Sequence, residues 1–306
     1  MNGKKIFFAR AALVSAPVIW GISFVMMDDM TGEVIDVLPL LALRFLSSAA
    51  VLLIILMRSM RSLDMRTVRR GATLGALLFL SYTFQTYGLQ HTTPGKNAFL
   101  TGVYVVLVPF IHWLISGRRP TAFNIVAALM SICGIGVVSL GGGVGSVNIG
   151  DVLTLIGGVM YAVHIVCANR FMDDDGEKPC NPLTLAVMQF AFGGAYALVG
   201  ALITGEGFKR VPHGTDILTL TYLCIMCTAV ALLFQNIGQK YTPPALASVI
   251  LCTESALGFL FSCIMGREEM SARLFVGFFL VFGATLICEM RPRRMKNVEE
   301  KAGQLT

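Results

Sequence analysis

Residues 88–118, GLQHTTPGKNAFLTGVYVVLVPFIHWLISGR, decide the fold. The stretch opens with a break at Thr93-Pro94-Gly95, continues for about twenty mostly apolar residues, and stops at Gly117-Arg118. Residues 238–267, GQKYTPPALASVILCTESALGFLFSCIMGR, repeat the pattern. Thr92 and Pro94 precede Thr242 and Pro244 by 150 positions, and Gly117-Arg118 precede Gly266-Arg267 by 149. So small a slip over so long a stretch marks two diverged copies of one segment.

Around these copies the chain is strongly apolar. Of its 306 residues 55% are hydrophobic and 14% charged, with a mean hydropathy of +0.73; soluble domains carry roughly a quarter charged residues. The apolar residues come in runs of about twenty, and such a run crosses the ~30 Å hydrocarbon layer as a helix rising ~1.5 Å per residue. Ten runs are predicted, at 8–27, 37–57, 71–91, 95–115, 121–140, 151–170, 182–204, 216–237, 244–265 and 272–290. They are too closely spaced to leave a soluble domain. The expected fold is all-α, a polytopic membrane protein of ten transmembrane helices. The length of the first run and the density of those that follow argue against a cleaved signal peptide.

A net charge of +6 would suit nucleic acid, but its distribution argues against that partner. With the gaps between runs assigned alternately to two sides, 18 Lys and Arg fall on one side and five on the other, with Arg44 inside a run. Basic residues are retained in the cytoplasm, which predicts both termini inside. Cys224-x-x-Cys227 has metal-site spacing, yet it lies mid-run with no second pair. No metal and no cofactor is expected.

The duplication extends beyond the opening pair. Trp20-Gly21 is echoed 141 positions on by Tyr161-Ala162, Arg44-Phe45 by Gln189-Phe190, Phe84-Gln85-x-x-Gly88 by Phe234-Gln235-x-x-Gly238, and Gly134 by Gly283. Five runs echo five. Because five is odd, the second set enters the membrane from the opposite side, giving an inverted 5+5 repeat of the kind that builds carriers around a midplane site. The predicted units are residues 1–140, a Gly-rich linker 141–150, residues 151–290, and a cytoplasmic tail 291–306. The linker's glycines lack the Gly-Lys-Ser/Thr ending of a phosphate loop. The acidic loop 173–177 lacks the alternating ligands of a calcium loop and reads as solvated.

Polar groups at membrane depth are costly, so each needs a partner, a cavity or a function. Glu254 is the acidic residue nearest the middle of a run, with Ala247 and Gly258 on its helical face. It is a candidate proton carrier, or a structural carboxylate tied to Arg44 or to a helix-break amide. Candidate solute ligands are Trp20 and Ser23 in the first run, Tyr82 and Gln85 in the third, and the stripe Asn97, Thr101 and Tyr104 in the fourth. Tyr161 and His164 in the sixth run and Gln235 and Asn236 in the eighth complete the set. Singly each suits an interhelical hydrogen bond; together, at matching places in both halves, they suit a polar-aromatic cavity.

These residues resemble the EamA-type transporters of the drug/metabolite transporter superfamily over nearly the whole chain. The resemblance rests on Trp20-Gly21-x-Ser23-Phe24, Arg44-Phe45, Phe84-Gln85-x-x-Gly88-Leu89, Thr92-Thr93-Pro94-Gly95-Lys96, Gly117-Arg118-Arg119-Pro120, Gln235-Asn236, Thr242-Pro243-Pro244, Glu254 and Gly266-Arg267-Glu268. It implies ten helices in two repeats and a central cavity lined mainly by helices 3, 4, 8 and 9 with 1 and 6. It also implies export or exchange of small metabolites such as amino acids across a bacterial plasma (inner) membrane. Relatives often carry Pro after the helix-9 Glu; here Ser255 stands there, so less kinking is expected.

The resulting expectation is a secondary carrier, not an enzyme, whose partners are a small solute and the bilayer. The oligomeric state is left open. A channel is one alternative. A membrane-embedded enzyme is another, but no nucleophile-base motif such as Gly-x-Ser-x-Gly or His-Glu-x-x-His occurs in the runs.

Overall fold

Helix ends in this chain fall where capping chemistry puts them. Asp64 accepts from the Thr67 amide (2.9 Å), and Asn148 and Asp151 form a reciprocal capping box. Pro94, Pro182 and Pro244 each open a helix, where a missing N–H costs nothing. Gly117 and Gly266 close equivalent helix ends with φ of +70° and +71°, a left-handed turn that glycine adopts freely. The computed structural model describes residues 3–60, 63–117, 119–139, 148–173, 179–269 and 271–289. Most of the expected linker (141–147), of the acidic loop (174–177) and all of the tail from 291 lie outside the described residues.

Among the described residues ten helical spans result. They are α1 (Gly3–Gly21, resuming as Ser23–Glu33), α2 (Val37–Ile55), α3 (Met65–Leu89), α4 (Pro94–Thr101 and Tyr104–Ser116) and α5 (Ala122–Ser139). The second half holds α6 (Ile149–Met172), α7 (Pro182–Thr204), α8 (Thr215–Tyr222, a π-helical stretch Leu223–Val230, then Ala231–Gln239), α9 (Pro244–Ile264) and α10 (Ala272–Glu289). Two bounds differ from expectation. α1 runs on to Glu33, and α3 begins at Met65, so Arg66, Arg69 and Arg70 lie in its first turns rather than in a loop.

Seven of these helices are long and apolar enough to cross a membrane by themselves, and α5 and α10 contain shorter apolar helices, Ala122–Gly134 and Phe275–Ala284. α3 is the polar exception, and it is packed between α6 and α7. The exterior carries Leu114, Leu202, Ile203 and Leu218 at 71–81% exposure, while Arg44, Gln189 and Asn236 are 0–1% exposed. Polar groups inside and apolar ones outside is the arrangement a bilayer selects. The chain is a polytopic membrane protein.

Packing obeys the sequence repeat. α3 packs on α6 as α8 packs on α1; α3 on α7 as α8 on α2; α4 on α6 as α9 on α1; and α4 on α5 as α9 on α10. The remaining large contacts, α2 with α7, α4 with α9 and α5 with α10, join each helix to its own mate. The register agrees as well. Gly88 abuts Gly150 and Thr154, and Gly238 abuts Ala9 and Leu13, the same partners shifted by 141. A pseudo-twofold axis therefore passes where mates touch: Trp20 edge-on to Tyr161 (6.5 Å), Phe45 stacked on Phe190 (6.3 Å, 5° between planes), and Cys252 Sγ against the Gly102 carbonyl (3.8 Å).

Below, the basic face is the one bearing Arg58, Arg66, Arg70, Arg119, Arg170 and Lys240, and the far face is its opposite.

Candidate functional site

The two broken helices frame the centre. In α4 the backbone tightens to i→i−3 hydrogen bonds across Gly102–Val103, with the Val105 amide donating to Gly102 (3.1 Å) and that of Val106 to Val103 (3.0 Å). A Cβ at Gly102 would stand 2.6 Å from Ser255 Oγ, so only glycine lets α4 and α9 approach so closely there. α9 itself continues unbroken through Ser255, as expected without a proline. In α8 the π stretch has a local cause. Trp20 Nε1 donates to the Cys227 carbonyl (2.7 Å) and Ser48 Oγ to that of Cys224 (2.7 Å), drawing carbonyls out of the ladder, while Thr228 Oγ1 donates to Leu223 (2.8 Å).

Between these breaks lies an aromatic enclosure. Tyr161 is edge-on to Tyr104 (5.1 Å), stacks on His164 (5.7 Å), and donates through its hydroxyl to Gln235 Oε1 (2.9 Å). Phe45 meets Tyr82 edge-on (5.5 Å). The Arg44 guanidinium sits 5.2 Å over the Tyr82 ring, donating Nε–H to Thr228 Oγ1 (3.1 Å) and Nη1–H to Met27 Sδ (2.9 Å). Glu254 is 6% exposed and lies within electrostatic reach of Tyr82, Tyr104, Tyr161 and Cys227. Tyr104 and Glu254 are repeat mates, 150 positions apart, so the phenol and the carboxyl occupy equivalent places on α4 and α9.

The two charges are held apart. Among the described residues Glu254 makes no ion pair or hydrogen bond, and Arg44 is bound only by a hydroxyl, a thioether and a ring face. The alternative in which Glu254 is tied to Arg44 is therefore absent from this conformation. A desolvated charge without a counterion costs several kcal/mol, so both groups are poised to take a charged or dipolar guest. Tyr104 Oη is likewise buried without a partner.

The other candidates divide into two groups. Gln85, Asn97 and Thr101 hold the α3–α4–α6 junction together instead of facing the centre. Gln85 Nε2 donates to Thr101 Oγ1 (2.9 Å), Thr101 Oγ1 to the Asn97 carbonyl (2.8 Å), and Asn97 Nδ2 to Thr154 Oγ1 (2.7 Å) and the Gln85 carbonyl (3.0 Å). Trp20 and Ser23 have committed their polar atoms, Ser23 Oγ donating to the Trp20 carbonyl (2.7 Å). His164 Nε2 lies 3.0 Å from Gln189 Oε1. Gln235 keeps a free Nε2, and Asn236 has no partner at either end of its amide. The sequence reading missed Gln189 and Gln239. Gln189 was legible as the repeat mate of Arg44, and Gln239 as one helical turn beyond Gln235. Among the described residues no cluster of three His, Cys, Asp or Glu could hold a metal.

Comparison with known proteins agrees with this architecture. The family model described as "EamA-like transporter family" matches twice, over residues 8–140 and 148–289. The chain belongs to that family. An "Uncharacterized transporter" of Archaeoglobus fulgidus is 29% identical over 294 residues, covering 95% of this chain and 88% of the relative. Solute carrier family 35 member F5 of Bos taurus is 26% identical over 206 residues, which is 61% of this chain but 37% of that longer protein. A protein crystal structure at 20% identity superposes with a TM-score of 0.72, covering 94% of this chain and 98% of that one, and shows the same fold. This EamA protein is thus a membrane transporter of the drug/metabolite type.

Proposed function

We propose that this EamA protein is a secondary carrier moving a small metabolite, an amino acid or a similar solute, by alternating access, in export or exchange. The supporting observation is the separation of Arg44 from Glu254 inside one aromatic enclosure on the pseudo-twofold axis. A cation and an anion, each without a counterion and both beside Tyr82, suit the carboxylate and ammonium of a zwitterion; Tyr104, Tyr161 and Phe45 suit its organic part. The inverted repeat supplies two equivalent ways of packing the halves, one open to each face. Glu254 takes up and releases a proton in the cycle. The basic face is the cytoplasmic face of a bacterial plasma membrane, with both termini there.

The test is counterflow in proteoliposomes against a panel of amino acids and related metabolites, with and without a pH gradient. Exchange of at least one solute is expected. Glu254→Gln should abolish the dependence on the pH gradient while Arg44→Gln lowers apparent affinity about tenfold or more, the loss of one charge-assisted pair. Glu254→Gln transport with the wild-type pH profile would remove the proton role. Single-channel currents without counterflow would replace the carrier by a channel.

A further inference from the structure

Three features converge on the last two turns of α8. First, Gln235, Asn236, Gln239 and Thr242 are 0–2% exposed, yet Gln235 Nε2, both amide atoms of Asn236, both of Gln239 and Thr242 Oγ1 have no hydrogen-bond partner. Buried polar atoms left unpaired cost about 1–3 kcal/mol each, so a chain retains such a cluster where another state satisfies it. Second, the opposite side of the same turns borders a cleft of about 350 Å³, lined by Ile237, Lys240 and Tyr241 of the α8 end and by Pro179–Leu183 ahead of α7. Third, these turns begin where the π-helical stretch Leu223–Val230 ends, a place where the helix ladder is already opened by Trp20 and Ser48.

We propose that the amides of Asn236 and Gln239, with the free end of Gln235, form a neutral hydrogen-bonding station between the central enclosure and the basic face. It is filled when Ala231–Gln239 swings at the π stretch into the cleft beside Pro179–Leu183. Each primary amide offers a donor and an acceptor and no charge. The station therefore takes water, or an uncharged group of the solute bearing both functions, and holds it less tightly than Arg44 or Glu254 holds an ion. The movement parts Ala231–Gln239 from α1, where Gly238 rests on Ala9 and Leu13; on the α6 side it breaks the bonds from Asn169 Nδ2 to the carbonyls of Gln239 (2.9 Å) and Thr242 (3.2 Å). The station rests on the carrier reading for its solute but on geometry alone for its opening.

Hydrogen–deuterium exchange of the whole protein in nanodiscs tests it without knowledge of the solute. The segment 231–242 should exchange about tenfold or more faster than its repeat mate 81–92. The double variant Asn236→Leu/Gln239→Leu, which leaves only Gln235 Nε2 and Thr242 Oγ1 to hydrate, should remove most of that difference. If the double variant fails to express, Gln239→Met alone should reduce it. Equal protection of the two wild-type segments, or a difference that survives these substitutions, overturns the station. A mixture of the twenty amino acids that slows exchange in the wild type but not in Gln239→Met identifies the solute as occupant; no slowing identifies water. Counterflow is measured separately: its presence with equal protection removes the station and leaves the carrier, and its absence with fast exchange does the reverse.

Discussion

The far-face junction of α3 and α4 and the basic-face junction of α8 and α9 descend from one segment, yet they are held in opposite ways. At the first, Lys96 Nζ forms an ion pair with Asp151 (2.7 Å), Thr92 Oγ1 donates to Asp151 (3.2 Å), and Glu268 accepts from Thr93 Oγ1 and from the Lys96 amide (3.0 Å). Arg267 pairs with Asp29 on the same face. At the second, the equivalents of Lys96 and Asp151 are Leu246 and Arg10, and the amides of Asn236 and Gln239 are unpartnered. Thr86 Oγ1, Asn97 Oδ1 and Glu268 Oε2 are the far junction's own unpaired atoms, set among the bonds of Gln85, Asn97, Lys96 and Glu268 Oε1. One backbone plan has thus been fastened at one end and left loose at the other, which in the proposed cycle would bias the molecule toward closure at the far face.

Cutting the fastened end should have the largest effect. Asp151→Asn removes the counterion of Lys96, whose side chain is 18% exposed, and frees a buried group at the start of α6. A loss of about 3 kcal/mol is expected, read as a lower thermal midpoint in detergent, with faster exchange over residues 88–100. An unchanged midpoint would mean that the ion pair holds nothing.

The helix crossings should respond more evenly, because there the two copies still agree. A Cβ at Gly88 would lie 2.4 Å from Thr154 Oγ1 and 2.7 Å from the Gly150 carbonyl; one at Gly238 would lie 2.5 Å from Leu13 Cβ. Gly88→Ala and Gly238→Ala should each destabilise by roughly 1–3 kcal/mol, and to similar extents. A large disparity in their midpoints would show that the register agreement is accidental.

The smallest effect sharpens the account of Glu268. Burial pushes its carboxyl above the ordinary range, partly offset by the Thr93 hydroxyl and by the amide and charge of Lys96. A carboxyl whose pKa rises on folding stabilises the fold below its unfolded value and loses that contribution as pH rises through the folded one. Glu268→Gln should therefore be slightly more stable than wild type at pH 7, by less than about 1 kcal/mol, with the advantage fading near pH 4. Midpoints measured from pH 4 to 8 decide it.

Much of this fold was legible because repetition and hydropathy are properties of sequence. The offsets 141 and 150 paired Gly88 with Gly238, which the structure seats against equivalent residues of α6 and α1, and Pro94, Pro244, Gly117 and Gly266 marked ends where they were expected. The breaks were not legible. α4 parts at Gly102 because of a close approach to Ser255, and α8 widens because Trp20 and Ser48 take its carbonyls; both are long-range contacts. The site was legible as an inventory of polar residues and not as a division of labour. Nothing in the spacing of Asn97, Thr101 and Tyr104 says that two of them bind their neighbours while the third faces Tyr161, since that depends on how α4 restarts beyond Gly102.

The stack of Phe45 on Phe190 has a consequence for anyone wishing to tune this protein. Each ring is the other's counterpart, so in the proposed alternating-access cycle trimming either one would remove the same surface from both shapes of the halves. On that proposal such a change would alter how quickly the molecule flips without favouring either side. Residues away from that line, such as Asp151 and Gln239, have unlike counterparts, and through them evolution or an engineer can set the direction in which it rests.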